Sequence, residues 1–297
     1  MIPANLQVKA GVHMNYLQTV LVFMAAMTSS ALEHRFICVD NGANRLIHVD
    51  QQQPGRDWSV ELPKGSRDLQ LVGSDTILVS HGNGAGLYSL ADGKSLKLIT
   101  DRYKNINSAR LLEGGGTLLV SRTGDVFQLD QSGKELRSFK IQCEDLDIRL
   151  ARFNAAGNLV VVQTKQPRCV IEADMNGKVL RTLPLEGKGY RAQELKNGNL
   201  LISIGDSVKV IEIDPQGRVQ RFVGGKAGHP DIGLDFFSGF DLLANGNIIV
   251  ANWLGHGKQG TAAHLLEFDP DNNVVWKWED HQTARQVTNV LVIDEVK

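Results

Sequence analysis

One short pattern recurs along the chain: a run of apolar residues, often entered through Gly-Asn or Gly-Thr. It reads ICVDNG from Ile37, ILVSHG from Ile77, LLVSRT from Leu118, LVVVQT from Leu159, LLISIG from Leu200 and IIVANW from Ile248. The intervals are 40, 41, 41, 41 and 48 residues. Self-similarity at such a period marks a repeat architecture in which each unit buries its apolar faces against its neighbours.

Each copy leads into an alternating strand that ends in Asp and a turn. RLIHVD ends at Asp50, and VFQLDQSGK, VIEADMNGK, VIEIDPQGR and LLEFDPDNN centre on Asp130, Asp174, Asp214 and Asp269. GLYSLADGK, with Asp92, is a shortened version. A carboxylate there accepts backbone N–H bonds while Gly supplies positive φ. A third strand follows each turn (ELRSFKI, KVLRTLPL, RVQRFVGG, VVWKWED). A fourth precedes the apolar run (DLQLV, SARLLEG, IRLARFN, RAQELKNG, FDLLANG). Four short strands in about 41 residues read as one blade of a β-propeller. A parallel β-helix has a much shorter period, and the LxxLxL pattern of leucine-rich repeats is absent.

Six copies predict six blades. The first lacks an upstream strand, and VTNVLVIDEV (287–296) lacks partners after it. Pairing the C-terminal strand with residues 35–40 supplies the missing strand and removes an open edge. The expectation is a single all-β domain over 34–297, a six-bladed propeller. Seven blades is the alternative and requires one blade too degenerate to recognise.

Composition agrees. Of 297 residues, 30 are Gly and 42% are hydrophobic, enough for a core and many turns. With 32 basic and 33 acidic side chains the net charge is −1, which gives no overall electrostatic footprint for nucleic acid. Cys38, Cys143 and Cys169 form no CxxC pair, so a zinc knuckle or a thioredoxin-like motif is excluded. Cys143 and Cys169 are in principle able to pair, but small buried thiols fit their apolar surroundings better.

Before the repeats, an apolar stretch from Tyr16 to Met27 is followed by Ser29 and Ala31. About twelve apolar residues are too few for a membrane span, and small residues at −3 and −1 match a signal-peptide cleavage site. Residues 1–33 are therefore expected to be a signal peptide or a disordered leader, with the mature protein periplasmic or extracellular and without a membrane span. Upstream positive charge is sparse: Lys9 and His13, or almost none if translation starts at Met14. A retained amphipathic helix is the competing reading.

The pattern apolar-x-apolar-Asp-x-x-Gly-basic-apolar resembles the PQQ-like propeller repeat. The copy over 265–280, with Trp276 and Trp278, is the most similar to it. The unit length is also similar to that of NHL-type propellers, which are often six-bladed. The first resemblance implies quinoprotein dehydrogenases, scaffold lipoproteins and arylsulfotransferases as functional precedents. No cofactor-stacking Trp or calcium site is placeable, and no lipobox Cys follows the leader, so no cofactor is expected and a lipoprotein scaffold is disfavoured.

In a propeller, the loops between blades and those joining second to third strands open on one mouth. They supply Arg67, Arg110, Arg149, Arg191 and Arg285, with His81, Arg122, Lys165, Trp253 and His256. Guanidinium groups converging on one axis suit carboxylate, sulfate or phosphate. The opposing reading pairs each Arg with a local acid such as Asp68, Asp101, Asp145 or Asp147. The 48-residue interval carries seven extra residues in GGKAGHPDIGLDFF (224–237), and NWLGHGKQGTAAH (252–264) is the longest loop of its type. They add His229 and His264, the latter expected in a blade interior. HExxH, HxH, GxSxG and P-loop spacings are absent, so no metal site is expected.

These readings favour a binding or interaction module whose mouth takes an anionic or polar small molecule, or a protein partner. The predicted ligand residues are Arg67, Arg110, Arg191, Trp253 and Arg285. The alternative is an enzyme of arylsulfotransferase-like, lyase or hydrolase type, with His229 or His256 as catalytic group.

Overall fold

The computed structural model describes residues 32–255 and 257–294. The leader through Ala31, and His256, lie outside the described residues. Six four-stranded antiparallel sheets follow the predicted repeat. Blade 1 is Val287–Val292, Arg35–Asp40, Arg45–Asp50 and Trp58–Glu61. Blade 2 is Leu69–Val72, Thr76–His81, Gly84–Ser89 and Ser95–Thr100, and blade 3 is Ile106–Leu111, Thr117–Ser121, Asp125–Leu129 and Glu135–Lys140. Blade 4 is Ile148–Phe153, Leu159–Gln163, Cys169–Ala173 and Val179–Pro184. Blade 5 is Gly189–Glu194, Leu200–Ile204, Lys209–Ile213 and Val219–Gly224, and blade 6 is Phe237–Leu242, Ile248–Asn252, Leu265–Phe268 and Val274–Trp278. The first strands of successive blades touch in a closed cycle, so they form the inner wall of the ring.

The recurring apolar runs are the second strands, and they are buried along their length because a neighbouring blade covers each face. That is why they read as continuous apolar stretches rather than alternating ones. Six hydrophobic clusters fill the six interblade spaces. The outer strands face water on one side and leave Leu96, Leu136, Leu180 and Val219 exposed. Each buried large apolar side chain, such as Phe36 or Phe240, contributes roughly 1.5–3 kcal/mol.

The Asp turns take the predicted form. Asp174 Oδ1 accepts the N–H groups of Asn176 at 2.8 Å and Lys178 at 2.9 Å, and the turns at Asp130, Asp214 and Asp269 repeat this. Gly177 completes its turn at φ +84° and packs on the Lys140 carbonyl of the preceding blade, so a side chain there meets both strain and backbone. Trp276 and Trp278, which carry the repeat resemblance, lie edge-on to Phe36 in the blade 6/blade 1 interface.

Closure follows the expected pairing. Val290 lies opposite Cys38 and Leu291 opposite Ile37, in antiparallel register, but the strand ends at Val292 rather than reaching residue 296. Cys38, Cys143 and Cys169 are all free thiols; Cys143 is only half-buried, unlike the other two. Burial raises the Cys169 thiol above its ordinary range, and Cys143 is close enough to add to that. Among the described residues no helix is long and apolar enough to cross a membrane.

Removing residues 288–297 should leave Arg35–Asp40 as an open inner edge. We expect aggregation or loss of a single cooperative transition in urea, followed by circular dichroism. A truncated chain that unfolds with the full chain's midpoint and slope would contradict closure by this strand.

Candidate ligand site at the propeller axis

Strand pairing puts the six inner strands on a common scale. Leu69, Ala109, Ala151, Ala192, Phe240 and Val290 each lie opposite the middle of their second strand and face apolar core. Flanking residues project to the other face. One step earlier stand Asp68, Ser108, Leu150, Arg191, Gly239 and Asn289. One step later stand Gln70, Arg110, Arg152, Gln193, Asp241 and Leu291. Arg67 lies two steps before the core position, level with Arg149 and Tyr190.

Arg67, Arg191 and Arg110 therefore occupy three different levels, not one equivalent point as the repeat suggested. The register shifts in blades 3, 4, 5 and 6 fall just before the core position. A bulge re-aims the side chains at its own residues, here at the mouth end of the strands.

Asp68 anchors the middle of the network. Arg152 grips it from blade 4 with two hydrogen bonds, Nη1 to Oδ2 at 3.0 Å and Nη2 to Oδ1 at 2.9 Å. Ser108 donates to it from blade 3, and Arg110 Nη1 lies 3.9 Å away while donating to the Leu69 carbonyl. Burial pushes the Asp68 carboxyl up, but Arg152 and Arg110 outweigh burial and hold it below the usual carboxylate range.

Arg191 is 9% exposed and makes no ion pair with a carboxylate among the described residues. It donates to the Phe240 carbonyl and to Gln193 Oε1, and its guanidinium lies 4.6 Å from the Phe240 ring centre. Its Nε is buried and meets no protein acceptor. Burial, then repulsion from Arg152, push Arg191 down to about 9. The same two causes push Arg110 down to about 10. Four axial arginines (Arg67, Arg110, Arg152 and Arg191) thus face two acids, Asp68 and Asp241, among the described residues.

At the mouth, Arg67 Nη1 donates to Tyr190 Oη at 3.2 Å, joining blades 2 and 5 across the ring. Tyr190 meets Phe236 edge-on at 6.5 Å, and Phe236 meets Trp253 at 5.8 Å. The predicted Trp253 therefore lies on the same side as Arg67, at the end of an aromatic wall that also includes Tyr190 and Phe236.

Other predicted residues are placed elsewhere. Asp147 takes both Arg122 and Arg149, at 2.6 and 2.5 Å, so the local-acid reading holds for those two. Burial raises Asp147, but Arg122 and Arg149 outweigh it and hold the carboxyl at about 2. Arg285 is exposed and lines a separate cleft with Gln259, Gly260 and His281, among the interblade and second-to-third-strand loops. His229 packs edge-on against Phe268, 5.3 Å away, on the third strand of blade 6 rather than at the inner strands. His81 is buried in its hairpin, where Nδ1 accepts from the Asn83 N–H, and burial lowers its pKa. Lys165 is exposed beside Cys143 and Glu144. His264 is fully buried in blade 6 beside Trp278, as expected.

Sequence reasoning missed Arg152, Tyr190, Phe236 and Asp241. Aligning the inner strands on their apolar centre would have found Arg152 and Asp241, since both fall level with Arg110. No repeat signal marks Tyr190 or Phe236 as partners.

The fold is shared with known structures. A protein of unknown function from Bacteroides caccae is 23% identical, with TM-score 0.73, over 89% of this chain and 100% of that one. A streptogramin B lyase is 12% identical, with TM-score 0.58, over 88% and 90%. The WD40 propeller domain of Doa1 is 15% identical, with TM-score 0.55, over 73% and 70%. The six four-stranded sheets define the class, a six-bladed β-propeller, and at such identities the likenesses carry the propeller fold alone. No family model and no curated protein matches the chain.

Asp68→Asn should leave Arg152 and Arg110 buried without their counter-charge. We expect a loss of about 3–5 kcal/mol in urea unfolding near neutral pH. Because the folded Asp68 carboxyl is held low, its stabilisation is full above the ordinary carboxylate range and is lost as pH falls through the lowered value. The variant should lack that acid-dependent component. A loss under about 1 kcal/mol, the scale of an exposed pair, would mean that the axial arginines do not depend on Asp68.

Proposed function

We propose that the protein is an exported binding module whose cationic propeller mouth takes an anionic or polar small molecule. The observation that carries this is the charge imbalance at the axis, with a buried Arg191 whose Nε meets no protein acceptor. Buried cations need pairing, and an anion that reaches Arg191 gains charge-assisted hydrogen bonds of roughly 1.5–3 kcal/mol each. Arg67 stands at the entrance, Arg110 and Arg152 lie deeper, and Trp253, Phe236 and Tyr190 give a flat apolar wall. An anion bearing an aromatic or apolar portion fits that combination, as does a partner protein's acidic side chain in the second reading of the same mouth.

Arg285 stands apart from this set, so the ligand assignment rests on Arg67, Arg110, Arg191 and Trp253. The similarity to a streptogramin B lyase and the PQQ-like repeat pattern keep an enzymatic reading in view. That reading asks for a His at the axis. His229 packs at Phe268 instead, and the other candidate, His256, lies outside the described residues. Export is supported by the leader pattern of residues 16–31, and places the ligand in the periplasm or outside the cell.

Isothermal calorimetry with sulfate, phosphate, citrate and sugar acids tests the mouth. Wild type should bind at least one of them, and Arg110→Met/Arg191→Met should lose at least tenfold in affinity, about 1.4 kcal/mol. Equal binding by a folded variant, or none by wild type, would count against the site.

Export has a separate check. Protein recovered from its native host should begin near Leu32 by N-terminal sequencing. An intact Met1 or Met14 on cytoplasmic protein would remove the signal-peptide assignment.

A further inference from the structure

Asp241 is the second acid of the axis, and its place differs from that of Asp68. It stands on the inner strand of blade 6, level with Arg110 and Arg152. Arg191 of blade 5 donates to the Phe240 carbonyl, the peptide immediately before it. Yet no described cation closes to an ion pair with Asp241. Its Oδ2 instead accepts the Val292 N–H at 2.9 Å, from the inner strand of blade 1.

Among the described residues, charged groups face this carboxyl from several elements. Arg191 and Arg152 act on it from blades 5 and 4, and the Leu242 N–H supports it from its own strand. Asp68 and Arg110 lie across the axis on blades 2 and 3. On the other side Asp241 lines a cavity of about 500 Å³ with His34, Asn245 and Asp294, and His34 there is held by Asp294 and Glu267. Burial raises the Asp241 carboxyl above its ordinary range; the charges of Arg191 and Arg152 only partly oppose it.

Resting on the axial anion site proposed above, we propose that Asp241 is its built-in competitor. The ionised carboxylate is an internal counter-charge for Arg191, and an incoming anion replaces that charge as Asp241 takes up a proton. Ligand and proton then bind together, so the site holds its anion more tightly as pH falls. By linkage the bound anion also raises the proton affinity of Asp241 by the same factor. The Val292 N–H remains a donor to the neutral acid's carbonyl oxygen, and the acid's new O–H is free to donate to the incoming anion. The cavity beside His34 and Asp294 offers a proton route from the end of the ring opposite Arg67.

Sulfate is the probe, because its own charge is constant between about pH 5 and about pH 8, where the ordinary carboxylate and imidazole ranges are approached. Calorimetry on wild type should show affinity rising roughly five- to a hundredfold from the upper to the lower pH. Asp241→Asn, neutral and of the same shape, should bind at both pH values with about the wild-type acid affinity. His34→Asn, checked for folding by thermal melting, should keep the wild-type pH dependence. Equal pH dependence in wild type and Asp241→Asn overturns the proposal while leaving the anion site standing. So does loss of the dependence in His34→Asn alone. Failure of sulfate to bind any of the three proteins at either pH removes the anion site and this coupling together.

Discussion

Closure of the ring by Val287–Val292 is the constraint on which the rest depends. A stack of blades with an open end leaves one inner strand unpaired and one apolar interface wet. Here the C-terminal strand meets Arg35–Asp40 in antiparallel register and is clamped at both ends by charged groups. At its start the buried Asp40 carboxylate accepts N–H bonds from Gly42, Ala43, Arg285 and Gln286, at 2.8–3.1 Å. Beyond its end His34 bridges Glu267 at 2.7 Å and Asp294 at 2.6 Å, with Trp276 edge-on at 4.9 Å. Burial works against a charged imidazole, but the two carboxylates outweigh it and raise the pKa. That bridge is at full strength below the ordinary His range and weakens as pH rises through the raised folded value.

A closed ring fixes what its axis must contain. Six inner strands leave a narrow space in which residues from non-adjacent blades become direct partners. Arg152 of blade 4 reaches Asp68 of blade 2, and Arg67 of blade 2 reaches Tyr190 of blade 5. In an isolated blade each of these side chains would turn to water. Within the ring they are held among others of the same sign, and the lowered values of Arg110 and Arg191 record that confinement. Local acids relieve the crowding where loop geometry permits, as Asp147 does for Arg122 and Arg149. Among the described residues no acid pairs with Arg191 in that way.

The architecture was legible because it repeats. A 41-residue period and an Asp turn per unit survive averaging over six copies, and the strand missing from the first blade is matched by the one left over after the last. The axis was less legible because it is where the copies differ. Arg67, Arg110 and Arg191 look nearly equivalent, but they stand 10, 8 and 9 residues before their apolar runs. In a strand a difference of one or two residues is a change of face or of level, so near-equivalence in the repeat does not put them at one point. His229 shows a second limit. The length of residues 224–237 suggests a functional loop, but its histidine lies edge-on against Phe268 of the third strand. The Trp pair of 265–280 marks the junction of the last blade with the first.

An unbalanced buried charge is tolerable only if the scaffold cannot relax it away. A single sheet would flex or re-register to hydrate Arg191, at the cost of a few backbone bonds. In the ring, moving the inner strand of blade 5 means disturbing two interblade cores at once, those built around Ile202 and Phe240. Each holds several fully buried side chains, every one contributing on the order of 1.5–3 kcal/mol. The cost of leaving one guanidinium short of a counter-charge is smaller than the cost of opening either core, so the strand stays and the charge remains. The strain is then available to whatever carries the opposite sign into the axis. Asp241 is near enough to feel it, and its bond to Val292 keeps it from moving over to pair with Arg191. Placing the nearest acid on the closing blade's hydrogen-bond network, rather than on the arginine, keeps the axis short of negative charge and ties that shortage to the closure of the ring.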